Sequence, residues 1–396
     1  MVVGSPGEGF VTFYSSKDVK KWREESKLTT PGGGECPNLV EVPIVEEEGQ
    51  KKKDLACHGH DSAPSSSSAY LLFVSGGGNP SNGASVTRYV VGSFNGSHFT
   101  PFDSEHTWDR FVDFGPDNYA GQFFFNGAPK AQQNARTHGL PVQDAQSTDV
   151  QSRAPVQKPI YMAWASNWVY AKDTPTGERE GWRGALTLPR EVSLIRGSKG
   201  AVEMVSMPYG LDTLEKKTLR EMMLVSGRRE GIALGDGAVV IELVVKLAGN
   251  EPGVAEHGKE KRRLKGGRIK LGVGNKATGE QLVMELNLDT SQSKAFFWVD
   301  RSGVGDWKHP GFNPQMHVIV PAVPLLMDKK SSETRKGWTF KIILDRSMME
   351  VFVNGGQQAG AMAYYPTQFL NELNINTGDI EGHLEASVEV IQVSAR

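Results

Sequence analysis

Short strand-like runs separated by turn residues fill most of the chain, and this pattern limits the possible folds more than any other feature of the sequence. In the first half, such runs cover Phe10–Ser15, Ala69–Ser75, Ser85–Phe94 and Ile160–Tyr170. The third run ends at Asn95-Gly96, a dipeptide typical of a tight hairpin turn. Many short strands with frequent turn signals predict an all-β fold. The 45 glycines, 17 phenylalanines, 9 tyrosines and 8 tryptophans fit that prediction.

After about residue 207, the second half shows the same pattern of short strand-like runs separated by turn residues. Strands are predicted over Ala238–Leu247, Gly267–Val273, Gln281–Leu288, Ala295–Asp300, Met316–Val320, Trp338–Leu344, Glu350–Asn354 and Ala386–Val393. Several short strands at regular spacing favour a β-sandwich. Between the halves, apolar residues of Leu211–Met223 fall within one half of a helical wheel, which predicts a helix. We therefore expect domains at 1–207 and 226–396, joined by a linker with a short helix at 208–225.

Composition and two polar insertions exclude several classes of function. The net charge is −2, which argues against a nucleic-acid-binding surface because such surfaces need a basic excess. No apolar run approaches the roughly 18 residues of a transmembrane helix. The segments Glu46–Ser68 and Gly127–Lys158 are polar and predict surface loops. The first contains Cys57-His58-Gly59-His60, which we interpret as a chance grouping because a structural zinc site needs four ligands on an ordered frame.

Two short motifs contain carboxylates that suit acid–base or sugar-binding chemistry. Glu35 follows three glycines and precedes Cys36 and Pro37, so a tight turn presents its carboxyl group next to a strand. A carboxyl group in an apolar setting can serve as a general acid. The segment Asp113–Gln122 places carboxylates, a phenol and an amide close together, as a sugar pocket requires. Each motif taken alone is also compatible with an ordinary exposed turn.

A third motif is aromatic. Trp164 and Trp168 are four residues apart, so on a strand they would share one face with Ser166. The segment Trp182–Glu191 follows shortly after them. An aromatic face can stack on a sugar ring, although tryptophans of this kind are more often part of a protein core.

Taken together and in order, these motifs resemble glycoside hydrolase family 32, the invertase, inulinase and levanase group that acts on β-fructofuranosides. Glu35–Leu39 is similar to the family pattern Glu-Cys-Pro-Asp-Leu, with Asn38 in place of the aspartate. The segments Asp113–Gln122, Trp164–Tyr170 and Trp182–Glu191 resemble further family motifs. Asp300–Gly303 and Asp345–Gly355 resemble parts of the appended sandwich. The resemblance covers almost the whole chain except the insertions.

The resemblance implies a partial five-bladed β-propeller followed by a C-terminal β-sandwich. It also implies a retaining glycosidase without a cofactor or metal, in which one carboxylate attacks the anomeric carbon and another protonates the leaving oxygen. Glu35 matches the acid/base position of the family. By the same resemblance, Asp113 would bind fructose hydroxyls, Trp164 would wall the pocket and Asn167 would contact the substrate. The expected partner is a fructose-containing oligo- or polysaccharide.

Two family motifs are missing from the sequence. The nucleophile belongs to an Asn-Asp-Pro motif and the transition-state-stabilising aspartate belongs to an Arg-Asp-Pro motif, and neither tripeptide occurs among the 396 residues. In the family both motifs precede the region that this chain resembles. We therefore expect an N-terminally truncated catalytic domain with two to three of five blades, and a chain that is inactive by itself.

Other functions remain open from the sequence. The chain can instead be a non-catalytic fructan- or carbohydrate-binding protein, or a related propeller glycosidase with another sugar, although the appended sandwich counts against the latter. Hydrolase and fructosyltransferase are not distinguished, and neither is the oligomeric state. The family is usually extracellular or vacuolar, but residues 1–10 contain no basic segment followed by an apolar run, so the localisation stays open.

Overall fold

The structure, a computed structural model, describes residues 1–31, 34–45, 67–79, 83–104, 106–124, 156–197, 201–247, 266–326, 334–378, 380 and 384–394. Most of both predicted loops and the Cys57–His60 group lie outside these residues. Within the described ranges there is one short α-helix, α1 (Thr176–Arg179), besides three single-turn 3₁₀ segments at Ala171–Asp173, Leu211–Thr213 and Asn354–Gly356. None of the helices in the described part of the chain is long and apolar enough to cross a membrane.

The first half consists of antiparallel meanders. A three-stranded sheet contains β1 (Val2–Ser5), β2 (Phe10–Ser15) and β3 (Arg23–Thr29). A larger sheet has the order β7-β6-β5-β4-β10-β9-β8, with β11 paired to β10. Its strands are β4 (Glu35–Val45), β5 (Ser68–Asn79), β6 (Gly83–Phe94), β7 (Phe99–Pro101), β8 (Tyr119–Phe124), β9 (Ile160–Trp164), β10 (Arg190–Arg196) and β11 (Val202–Pro208).

The larger sheet consists of two four-stranded groups with a weak junction. Strands β4–β7 and β8–β11 each pair antiparallel among themselves. Among the described strands, the backbone pairing between the groups is that of β4 with β10, which are parallel over two residue pairs, Ile44 with Leu194 and Val45 with Ile195. Four-stranded antiparallel sheets are the blades of a β-propeller. Buried apolar side chains such as Leu71, Phe73, Tyr161 and Leu194 pack between the groups.

The second half is a sandwich of two antiparallel sheets. One has the order β12-β24-β14-β20-β21-β22, with β19 paired to β20, and the other has the order β13-β23-β15-β16-β17-β18. The strands are β12 (Glu215–Leu224), β13 (Arg229–Ala233), β14 (Ala238–Leu247), β15 (Gly267–Asn275), β16 (Glu280–Asp289), β17 (Lys294–Gly303), β18 (Gln315–Pro321), β19 (Val323–Leu326), β20 (Thr334–Leu344), β21 (Met348–Val353), β22 (Gln358–Ala363), β23 (Glu372–Thr377) and β24 (Leu384–Ser394). Alternate residues of both sheets face a single core that includes Leu243, Phe297, Trp338 and Phe340.

The predicted linker helix at Leu211–Met223 is wrong. Only Leu211–Thr213 forms a 3₁₀ turn, and Glu215–Leu224 is the edge strand β12, which pairs with β24 from Glu215 to Leu224. Tertiary pairing overrides the helical pattern here, because the leucines and methionines that suggested a helical stripe instead pack beside the core of the sandwich. This strand therefore belongs to the sheet of the second half.

Candidate active site

Glu35 is the first residue of β4 and is partly buried. The chain enters the strand through Gly34, whose φ is +64°, and whose position has no space for a side chain because a Cβ would lie 2.6 Å from Thr30 Oγ1. Cys36 also has a positive φ of 47°, and the pairing with β5 shifts register between Glu35 and Asn38. This is a β-bulge, a device that turns a side chain away from the regular ladder. Glu35 therefore begins a strand, as predicted, and the bulge after it aims the Glu35 carboxyl group.

Tyr119 starts β8 with a matching irregularity. Ala120 has a φ of 53°, and the pairing of β8 with β9 shifts register between Tyr119 and Gln122. Asn38 links the two bulges, since its Nδ2 donates to the carbonyl oxygens of Cys36 at 3.0 Å and Gly121 at 3.1 Å. The two strands therefore hold Glu35 and Tyr119 at a common point.

The Tyr119 hydroxyl group donates a short hydrogen bond to Oε2 of Glu35. Burial raises the pKa of Tyr119, and the hydrogen bond and negative charge of Glu35 raise it further. The phenol therefore stays protonated and remains a donor to the carboxylate. Burial, together with the charge of Glu35, also raises the pKa of the neighbouring Cys36 thiol. The cysteine is consequently a neutral neighbour rather than a thiolate.

Two tryptophans extend the site from Tyr119 towards solvent. The ring of Trp164, the last residue of β9, lies edge-to-face with that of Tyr119 at 6.4 Å between centroids. Trp168 contacts Trp164 at 5.0 Å and is 59% exposed. The tryptophans do not share one strand as predicted, because β9 ends at Trp164 and a turn brings Trp168 back against it. An exposed aromatic wall beside a carboxyl group suits the binding of a sugar ring.

The segment after Trp182 supports this aromatic wall. Ala165 donates its backbone N–H to Ala185 O at 2.8 Å, and Thr187 donates to Ala163 O at 2.9 Å. Gly184 has a φ of +75°, and a Cβ at this position would lie 2.6 Å from Nε1 of Trp164. The glycine therefore allows the segment to pass close against the indole ring.

Asp113 lies where the first half contacts the sandwich. Its carboxylate is buried, with Oδ1 accepting the backbone N–H groups of Gly115 and Ala361, each at 2.7 Å. Oδ2 contacts Nη2 of Arg190 at 2.9 Å and Nδ2 of Asn118 at 3.3 Å. These four contacts involve both oxygens, and one of the partners, Ala361, belongs to the second half. The expectation that Asp113 binds fructose hydroxyls stays a prediction.

Asn167 lies in a turn, and its expected contact with the substrate stays a prediction. Its side chain is buried, its Nδ2 donates to Pro116 O at 3.0 Å, and its Oδ1 accepts the N–H of Val169 at 3.1 Å. Its carbonyl oxygen accepts the N–H of Ala171 at 2.9 Å. Of the four residues predicted for the site, the structure brings only Glu35 and Trp164 together, with Tyr119 between them.

Comparison with known proteins gives the family. The family model described as the glycosyl hydrolases family 32 N-terminal domain matches residues 1–208, and that described as the family 32 C-terminal domain matches residues 256–393. The chain belongs to glycoside hydrolase family 32. The resemblance inferred from the sequence motifs is thereby confirmed.

Individual family 32 relatives agree with this assignment. A levanase of Bacillus subtilis is 26% identical over 357 residues, which cover 88% of this chain and 42% of the levanase. Invertase 2 of Saccharomyces cerevisiae is 34% identical over 188 residues, which cover 46% of this chain and 26% of the invertase. The chain thus spans less than half the length of these relatives.

Solved family 32 structures share the fold. A fructofuranosidase of Schwanniomyces occidentalis complexed with fructosylnystose superimposes with a TM-score of 0.68 at 21% identity, covering 100% of this chain and 67% of that one. An exo-inulinase of Aspergillus awamori superimposes with a TM-score of 0.67 at 18% identity, covering 100% of this chain and 64% of the inulinase. The predicted fold, part of a propeller followed by a β-sandwich, is therefore confirmed.

The sequence motifs do not predict that Tyr119 contacts Glu35 or that Asn38 joins the two bulges. In the sequence Tyr119 is one phenol in a polar segment, and Asn38 is a departure from the family pattern. The signal that joins them is the pair of bulges, with φ positive at Cys36 and Ala120. Neither Cys36 nor Ala120 is a glycine or an asparagine, the residues that most often adopt a left-handed backbone, so no local sequence signal predicts this conformation.

Proposed function

We propose that this chain carries the acid/base half of a retaining β-fructofuranosidase site, with Glu35 as the general acid and base. The observation that supports this best is the contact between Glu35 and the phenol of Tyr119, next to the aromatic wall of Trp164 and Trp168. In a retaining glycosidase the acid first protonates the leaving oxygen and then, as a base, activates water. A phenol held as a donor stabilises the carboxylate that remains after the first step.

The substrate that we propose is a β-fructofuranoside such as sucrose, inulin or levan. The support is the family assignment and the names of the relatives, which include levanase, invertase and exo-inulinase. The chain spans only part of these proteins, so their activity applies to this chain as a proposal.

We further propose that the 396-residue chain alone does not hydrolyse fructosides. Retaining chemistry needs a second carboxylate about 5–5.5 Å from the acid to attack the anomeric carbon. The sequence contains neither the Asn-Asp-Pro nor the Arg-Asp-Pro motif that supplies the two further carboxylates of the family site. Without a nucleophile, the acid has no partner reaction to assist.

The test is an assay of the purified chain on sucrose, inulin and levan, with Glu35→Gln as the matched control. Glutamine keeps the shape of Glu35 and can still accept the Tyr119 hydrogen bond, but it cannot transfer a proton. We expect both proteins to release no fructose above the buffer rate. Fructose release by the wild-type chain that disappears in Glu35→Gln would show that Glu35 acts with a nucleophile from within these 396 residues.

The exposed tryptophans favour a second candidate function, the binding of fructans without catalysis. A wall formed by Trp164 and Trp168 keeps its stacking surface whether or not a nucleophile is present. Calorimetric titration with inulin-type oligosaccharides tests this candidate. Saturable heat that is lost in Trp168→Ala supports a fructan-binding protein. The absence of heat in the wild-type chain would contradict this second candidate function.

A further inference from the structure

The segment 113–117 of the first half lies along β22, the end strand of one sandwich sheet. Phe114 donates its N–H to Ala359 O at 2.8 Å, and Asp117 donates to Ala361 O at 3.2 Å. In the opposite direction, Ala361 N–H donates to Asp113 Oδ1 at 2.7 Å and Ala363 N–H donates to Asp117 Oδ2 at 2.9 Å. The two aspartate side chains thus replace backbone carbonyls, and the segment continues the sandwich sheet like an added strand.

The two backbone segments lie so close together that Gly115 and Gly360 have no space for a side chain. A Cβ at Gly115 would lie 2.0 Å from Ala361 O, and one at Gly360 would lie 2.5 Å from the Phe114 ring. Any lateral shift of the segment would therefore break the hydrogen bonds or create a clash.

Arg301 of the sandwich fixes the end of this segment. Its Nη1 contacts Oδ2 of Asp117 at 2.9 Å, and both side chains are fully buried. Its Nε donates to Asn313 O at 2.9 Å, and its guanidinium group lies 3.4 Å from the Phe312 ring centroid. The cation is therefore held by the sandwich and in turn holds a residue of the first half.

Only Asn118 separates this anchor from Tyr119. Asn118 is buried, its Oδ1 accepts the Tyr161 hydroxyl at 2.6 Å, and its Nδ2 donates to Asp113 Oδ2 at 3.3 Å. The backbone N–H of Ala120, on the other side of Tyr119, donates to Ser75 Oγ at 3.1 Å. A displacement of Asp117 is therefore passed to Tyr119 through a short segment that has hydrogen bonds at every residue.

We propose that Arg301 is a positioning residue for Glu35: by anchoring Asp117 against the sandwich it sets the place of Tyr119, and through Tyr119 that of the Glu35 carboxyl group. The sandwich is then a structural part of the site and not only an appended domain. The relevance for catalysis rests on the proposed function of Glu35, whereas the geometric coupling does not.

Cys36 provides a local reporter for the test, because it follows Glu35 in the bulge that Asn38 ties to Gly121. The rate of its alkylation by iodoacetamide is measured in a Cys57→Ser background, which leaves Cys36 as the single thiol of the sequence. No sugar is present, so the result does not depend on whether the chain hydrolyses or binds fructosides.

The variant Arg301→Gln removes the charge beside Asp117, and Asp117→Asn is the milder partner variant if the first does not fold. We expect either variant to raise the alkylation rate at least about fivefold. The thiol is already exposed, but desolvation and the charge of Glu35 raise its pKa, so displacement of the bulge lowers that pKa and increases the reactive thiolate fraction. Tyr119→Phe should also raise the alkylation rate of Cys36. Trp338→Phe, a core change in β20, which pairs with β14, β19 and β21 but not with β22, is the control and should leave the rate unchanged. All rates are compared at temperatures where each protein is folded.

A rate that stays at the wild-type value in Arg301→Gln or Asp117→Asn would overturn the proposal. A rate that rises equally in Trp338→Phe would also overturn it, because the effect would then reflect general loss of stability. Failure of the hydrolysis or binding assays would instead bear only on the proposed function.

Discussion

Arg190 of the first half and Glu350 of the sandwich form a buried ion pair across 160 residues of sequence. Nε and Nη2 of Arg190 lie 2.9 and 2.6 Å from Oε2 of Glu350, and Nη2 also lies 2.9 Å from Oδ2 of Asp113. Burial lowers the pKa of an arginine, but the two carboxylates outweigh it and raise that of Arg190. One cation thus holds two carboxylates, one from each half.

Substitutions of Arg190 and Glu350 in this cluster should lower the free energy of unfolding by unequal amounts. Arg190→Met leaves two buried carboxylates without a cation and should lower the free energy of unfolding by about 3–5 kcal/mol. Glu350→Gln keeps the contact between Arg190 and Asp113 and a hydrogen-bond acceptor for Leu188, so it should cost only about 1–3 kcal/mol. Urea unfolding measures both. Equal losses in the two variants would show that the charge balance of the cluster does not govern its stability.

The close contact of Gly184 with Trp164 predicts a local effect that a nearby glycine in open space does not share. Gly184→Ala adds a methyl group 2.6 Å from the indole Nε1 and also strains a φ of +75°. Gly181→Ala strains a similar φ of +77° in open space and should cost about 1 kcal/mol. We expect the first variant to be less stable than the second and to lose sugar binding where the wild-type chain shows it.

Thermal unfolding of the two glycine variants under the same buffer conditions provides the comparison. If Gly184→Ala and Gly181→Ala lower Tm equally, the indole ring gives way freely, and the aromatic wall is not held in place by its neighbour.

Glu280 predicts part of the pH dependence of the sandwich. Burial would raise its pKa, but hydrogen bonds from Thr367, Thr278 and Gly305 outweigh burial and lower it. The N–H groups of Gly305 and Thr367 donate to Oε1 at 2.7 and 2.9 Å. A lowered folded-state pKa stabilises the protein above the unfolded-state pKa of about 4.3, and this stability is lost as the pH falls through the folded-state pKa.

Glu280→Gln should therefore be less stable than the wild type near neutral pH, and the difference in Tm should shrink as the medium becomes acidic. The measurement is Tm across the acidic range for both proteins. A difference that stays constant with pH would mean that the Glu280 charge does not contribute to folding.

Truncation of Trp338 in the core of the sandwich should lower the free energy of unfolding strongly. This side chain is fully buried among residues of both sheets, and its Nε1 donates to Val320 O at 3.2 Å. Trp338→Ala should cost about 3–5 kcal/mol because it leaves a cavity in a close-packed core. Trp22→Ala, at a tryptophan that is 40% exposed, is the matched control and should cost far less. Similar losses at both positions in denaturant unfolding would contradict this view of the core.

Much of the fold followed from the sequence because strand patterns are local. The strand predicted at Ala238–Leu247 has the same bounds in the structure, and the Asn95-Gly96 turn joins β6 to β7 with a φ of +98° at Gly96. The helix predicted at Leu211–Met223 was wrong for the opposite reason. Its apolar positions fit both a helix and a half-buried strand, and pairing with a strand about 170 residues later decides between them.

The site was predictable only where a motif carries its own geometry. Glu35 begins β4 after Gly34, as the glycine-rich motif predicts, and its partner Tyr119 contacts Trp164. The partners of Asp113, Ala361 and Arg190, are distant in sequence, and no local pattern reveals these contacts. The same holds for Asn167, whose partner Pro116 lies 51 residues earlier.

We propose that Glu35 is a fructosidase acid/base without a nucleophile partner among these 396 residues. The most direct measurement is the release of fructose from levan by the purified 396-residue chain over prolonged incubation, followed by chromatography beside Glu35→Gln. We expect both proteins to match the buffer control. Fructose that accumulates with the wild-type chain and not with Glu35→Gln would contradict it.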